Sequence, residues 1–161
     1  MAERPIDLYL NDHLAGATLG RDLAEQIRQQ HEGSPLGDVM APIATQVNED
    51  RATLLELMDK METPTNPVKQ ATGWVAEKAS RVKFSGMLGG DRQYGEFMAL
   101  ESLALGVQGK ATLWRALKEV ADEYPALRWM NLDELLSRAE SQYATIERER
   151  LALGRRTLSP G

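Results

Sequence analysis

Apolar residues recur along this chain at alternating spacings of three and four. Ile6, Leu10, His13, Ala17, Gly20, Ala24 and Ile27 trace one stripe, and Leu36, Met40, Ile43, Val47, Asp50, Leu54, Met58 and Met61 trace a second. Such spacing gathers side chains on one face of an α-helix, so both segments are expected to be long amphipathic helices packed side by side. His13 and Asp50 stand out because they fall on faces that should be buried. Val68, Ala71, Val75, Ala79 and Val82, with Trp74 at one edge, form a weaker third stripe. A fourth is broad: Phe97, Leu100, Leu103, Ala104, Val107, Ala111, Trp114 and Leu117 cover an arc that suits the element nearest the centre of a bundle. Leu132, Leu135, Ala139, Tyr143 and Ile146 give the fifth. No stretch alternates with period two for long enough to compete as a strand.

Start and stop signals agree with these stripes. The first helix is expected from Pro5 to about Gln30, ended by Gly33 in a left-handed conformation. Ser34 then caps the second, with Pro35 in its first turn, where a missing N–H costs nothing. Pro42 should kink that helix or mark its true start. Asn66 and Pro67 repeat the cap-then-proline signal, Asp91 can cap the fourth segment, and Pro125 lies beyond its end near Ala121. Asn131 with Glu134 three residues on predicts a capping box, and the last helix should fade near Arg156. Segments of this length joined by short turns predict one all-α domain over residues 1–161, an antiparallel four-helix bundle with an additional shorter helix, the third.

Composition narrows the chemistry. The chain has 161 residues, 42% hydrophobic and 27% charged, with a net charge of −5, values typical of a globular domain and a poor match to general nucleic-acid affinity. It contains no cysteine, which excludes disulfides, thiolate metal sites and cysteine nucleophiles. No secretory signal and no membrane-spanning run is visible, so a cytoplasmic location is expected. No glycine-rich phosphate loop follows a strand, and nothing orients Ser34 or Ser80 toward either of the two histidines, His13 and His31.

Three stretches carry a resemblance: Asp7-Leu-Tyr-Leu-Asn-Asp-His-Leu-Ala-Gly-Ala, Val68-Lys-Gln-Ala with Trp74-Val-Ala-Glu-Lys, and Leu100-Glu-Ser-Leu-Ala-Leu-Gly-Val-Gln-Gly-Lys. They resemble an uncharacterised actinobacterial group of ferritin-like helical proteins, a likeness extending over nearly the whole chain. It implies a ferritin-like bundle and no settled activity. The wider superfamily includes di-iron proteins that take one Glu from each of two helices and Glu-x-x-His from each of the others. Glu101 could match a lone Glu, but Glu49-Asp50-Arg51-Ala52 and Glu140-Ser141-Gln142-Tyr143 both lack the histidine, so the full motif is absent. What remains is a degenerate set, His13, Asp50, Glu101 and Glu140, able in principle to hold iron or manganese.

Two functions follow as expectations. The leading one is a non-enzymatic helical protein with no cofactor that acts through protein contacts. Lys69, Lys78, Arg81 and Lys83 make the third helix basic, a surface for a protein partner or a membrane with Trp74 and Phe84 as anchors. A homodimer is expected as the commonest closed assembly. The alternative is a metal-dependent oxidoreductase or hydroxylase in which the four candidate ligands converge. His13 and Asp50 should then lie at similar height on adjacent antiparallel helices, either as a packing pair or as half of a site.

Overall fold

The computed structural model describes residues 2–66 and 91–161. Within them the chain forms α1 (Pro5–Gln30), α2 (Pro35–Lys60), α3 (Arg92–Glu119) and α4 (Leu132–Leu158), with a 3-10 turn at Pro125–Leu127 between the last two. The expected third helix, with its basic residues, Trp74 and Phe84, lies outside the described residues. The architecture is an all-α four-helix bundle with a short extra helix.

Caps fix where the helices begin. Ser34 Oγ accepts from the Gly37 N–H at 3.2 Å, and Asp91 Oδ1 accepts from the N–H groups of Gln93 and Tyr94. Each bond satisfies a donor that the first turn leaves without a partner. Asn131 caps α4 through the Glu134 N–H at 3.0 Å, while the Glu134 carboxylate turns back to the Asn131 side-chain amide rather than to its backbone. Pro42 neither ends nor starts a helix: α2 runs through it from Pro35 to Lys60. It sits on the exposed face, where water can reach the carbonyl one turn earlier that loses its donor. The turn between α1 and α2 depends on two glycines. Gly33 has φ of +79°, and a Cβ on Gly37 would lie 2.0 Å from the His31 carbonyl oxygen.

The core is made by the stripes of α2 and α3 nearly as the spacing predicts. Met40, Leu54, Leu57, Leu100, Leu103, Trp114 and Leu117 are all but inaccessible. α1 is rotated from expectation. Its core face is Leu10, Leu14, Ala24 and Ile27, with Asp7 and Asn11 buried beside them, whereas His13, Ala17 and Gly20 are only half-buried.

α1 packs on α2 and α3, and α4 packs on α3 and more lightly on α2. The direction of α3 follows from His31 at the end of α1, whose Nε2 lies 3.8 Å from Glu96 in the first turns of α3. α1 and α3 are therefore antiparallel, and α2 and α3 run the same way. At the opposite end, Asn66 donates its N–H to Asn11 Oδ1 at 2.7 Å. Some 20 helical residues separate the levels of Asn11 and His31, which is roughly 30 Å at 1.5 Å per residue. The connection from α2 to α3 thus joins opposite ends of the bundle.

Candidate functional site

Three helices send polar side chains into the middle of the bundle. Asp50 of α2, with its side chain 1% exposed, is met by Lys110 of α3, whose Nζ lies 2.6 Å from Oδ2. Lys110 also donates to Gln142 Oε1 of α4 at 2.5 Å, and the Gln142 amide donates to Asp50 Oδ2 and to Gln46 Oε1. Arg138 of α4 places a terminal nitrogen 3.0 Å from Asp50 Oδ1, at an angle that makes it an ion pair rather than an aligned hydrogen bond. The same guanidinium reaches Glu49 at 2.9 Å and the Gln46 carbonyl at 2.8 Å. Burial lowers the Lys110 pKa, and the neighbouring Asp50 carboxylate opposes that shift. A buried charge is tolerated only when paired and hydrogen-bonded, and this layer meets that condition for Asp50 and Lys110.

The fourth helix contributes differently. Where α1 faces this layer it carries Gly16, Ala17 and Gly20, and α3 answers with Gly106 and Gly109. A Cβ built on any of these four glycines meets no atom within 4 Å among the described residues. The outcome is a cleft of about 180 Å³ between α1, α2 and α3. Its walls are mainly apolar, with Val47, Leu54, Leu103, Val107 and Leu113 among them, and Asp50 and Lys110 at its polar end. Trp114, one turn beyond Lys110, also lines it; its indole Nε1 is buried and finds no acceptor among the described residues. Arg51 stands at the rim, where its Nε donates to Thr18.

The predicted metal ligands are distributed as follows. His13 and Asp50 line the same cleft, as their expected heights implied, but they do not pair. Asp50 takes Lys110, Arg138 and Gln142, while His13 packs edge-on against the Tyr9 ring, with centroids 4.6 Å apart. Burial lowers the His13 pKa below its ordinary 6.5, although the Asp12 carboxylate pulls the other way. Glu101 is bound to Arg150 at 3.1 Å, and Glu140 is exposed and pairs with Arg115 at 3.2 Å. Among the described residues no three His, Asp or Glu side chains gather as a metal-binding group. No helix among them is long and apolar enough to cross a membrane.

The sequence reading missed Lys110, Arg138 and Gln142. Two signals were present. Lys110 lies three residues after Val107 and four before Trp114, and Gln142 lies three after Ala139 and four before Ile146, so both sit on apolar stripes. Compared with known proteins, the chain matches no family model, no curated protein and no solved structure.

Proposed function

We propose that this chain is a ferritin-like bundle without a metal centre, and that it works by binding a small, mainly apolar molecule in the cleft between α1, α2 and α3. The parallel course of α2 and α3 supports the ferritin-like assignment, because a bundle of that kind carries one long crossover connection. The polar layer at mid-height is an alternative to a metal site. Lys110 supplies the positive charge that Asp50 requires, and Arg150 and Arg115 engage Glu101 and Glu140.

The observation that carries the binding reading is the set of open glycines. A glycine inside a helix costs about 0.5–1 kcal/mol relative to alanine, a cost usually offset where another backbone approaches closely. Gly16, Gly20, Gly106 and Gly109 have no such neighbour among the described residues, yet all four border one cleft. A local rule broken repeatedly at one place marks a functional surface. The volume, about 180 Å³, compares with the roughly 150 Å³ apolar cavity that stays dry and admits benzene. Titration with toluene, followed by NMR of the chain's methyl groups, tests the reading. Shifts confined to the cleft walls, Val47, Leu54, Leu103, Val107 and Leu113 among them, and abolished in Gly106→Leu, are expected. No toluene-dependent shift would remove the cleft as a site.

A second reading keeps the expected protein contact and the homodimer. Leu151 and Leu158 of α4 are 56% and 65% exposed and seven residues apart on one face. They border a groove with Phe97, Arg150 and Arg155, and a second copy presenting the same leucines would cover it. Sedimentation should then give a dimer that Leu151→Lys dissociates; a monomer at tens of micromolar would end this reading.

A further inference from the structure

We infer that the outward face of α4, toward its C-terminal end, docks an acidic amphipathic helix of a partner protein along the line Ala144, Leu151 and Leu158. This goes beyond both readings above, and the partner competes with a second copy for the same groove. The three residues are exposed and spaced by seven, so they share one edge of the helix. Single exposed leucines are ordinary on a protein surface, but these two border a groove whose other wall includes Phe97 of α3. Gly154 also lines it, and a Cβ there would lie 2.7 Å from the Phe97 ring, so α4 lies this close to α3 only because that side chain is missing. From Ala144 to Leu158 is roughly 21 Å of helix, which a partner helix matches with about four turns.

Charge selects the occupant. Arg148 and Arg155, again seven apart, run beside the leucines and are exposed. Neither has a carboxylate within ion-pair distance among the described residues, nor has Arg156, whereas Arg115, Arg138 and Arg150 each have one. Glu147, on the other side of the leucine line, is held by Arg150 at 2.5 Å. Residues 147–158 contain four arginines and two glutamates, an excess of two positive charges in a chain of net charge −5. The partial negative charge at the end of α4 accounts for Arg155 and Arg156 in its last turn, but not for Arg148 nearly three turns earlier. Charges that flank an apolar seam decide which helices pair, and arginines in that place call for Glu or Asp opposite. A second copy fits less well, because two-fold pairing of this face brings two such positive patches together. A flat bilayer makes no use of the seven-residue register or of the groove.

The probe is a fluorescein-labelled peptide of three heptads with Leu at a and d and Glu at e and g, titrated with the full chain and read by anisotropy. It should bind at least about tenfold more tightly than the same peptide with Lys at e and g, and that preference should shrink as salt rises. Arg148→Gln and Arg155→Gln should each weaken binding about threefold, and Leu151→Lys at least about tenfold. Arg128→Gln, which removes the same charge before α4 begins, should leave affinity unchanged. Equal affinity for the two peptides, binding unmoved by Leu151→Lys, or no binding of the acidic peptide at about 1 mM chain would overturn the inference. So would cosedimentation of the chain with phosphatidylglycerol vesicles, or a dimer of the chain alone that Leu151→Lys dissociates, since these give the leucines to a bilayer or to a second copy.

Discussion

Removing the Lys110 charge should cost more stability than removing the Asp50 charge, and removing both should cost least. In Lys110→Met the Asp50 carboxylate, 1% exposed, keeps only Arg138 at 3.0 Å and the Gln142 amide at 3.3 Å. Gln142 Oε1 also loses its donor. Breaking a buried ion pair from one side typically costs 3–5 kcal/mol, roughly, and the surviving Arg138, whose side chain is 30% exposed, reduces that to about 2–3 kcal/mol. For a chain of this length such a loss lowers Tm by about 5–10 °C.

Asp50→Leu leaves a buried amine instead, but an amine can escape its charge by releasing a proton, and burial already lowers the Lys110 pKa. Arg138 retains Glu49 at 2.9 Å, so the cost should be about 1–2 kcal/mol. The double variant removes both charges and should lie within about 1 kcal/mol of the parent, giving a coupling of at least about 2 kcal/mol. Urea unfolding followed by far-UV circular dichroism measures all four proteins, provided the m-value is unchanged. Additivity of the two single costs to within about 0.5 kcal/mol would refute the reasoning, because independent sites add and coupled ones do not.

Three further outcomes follow from other contacts. His13 has a folded pKa below its ordinary 6.5, so the stability it contributes is complete above that value and is lost as pH falls through the folded value. The fall in stability between pH 7.5 and pH 5 should therefore be smaller in His13→Phe, and an identical profile would place His13 in water. Gly37→Ala should destabilise by at least about 2 kcal/mol, since its Cβ would meet the His31 carbonyl oxygen, whereas Gly106→Ala, with open space, should stabilise by up to about 1 kcal/mol; thermal melts that reverse this order would show the cleft to be filled. Asp7 accepts from Thr63 at 2.5 Å and from Arg4 at 2.7 Å, and Arg4 holds its pKa below the usual carboxylate value of 3.8. Its contribution is present above that value and lost as pH falls through the lowered one; Asp7→Ala should cost about 1–2 kcal/mol at neutral pH and nothing at the acid limit, readable from melts across the range.

The helices were legible because periodicity and caps are local properties. Ser34, Asp91 and Asn131 announce their helices within three residues, and the stripe from Phe97 to Leu117 is buried as its spacing implies. The rotation of α1 was not legible. Asp7 and Asn11 are polar and interrupt the core face, and besides the local bonds from Arg4 to Asp7 and from Asn11 to the Asp7 carbonyl they depend on Thr63, Pro64 and Asn66, more than fifty residues away. A hydrophobicity count therefore moves the stripe to Ile6, His13 and Ala17, and it places His13 deeper than it is.

The same limit explains the candidate site. Asp50 was recognisable as a buried acid needing a partner, but the partner could not be read from α1 and α2 alone. It comes from Lys110 and Gln142, each a long side chain that stands on an apolar stripe and reaches across the bundle axis. Long side chains at these positions let α2, α3 and α4 fill the centre with charge pairs while α1 lines the cleft with Asp12, His13, Gly16, Ala17 and Gly20. The polar layer and the cleft thus have a common origin. An apolar side chain on α1 at Gly16 or Gly20 would fill the space and recover helix propensity at the same time. That four helix positions bordering one cleft keep glycine, each with open space beside it among the described residues, is the physical basis for the binding reading proposed above.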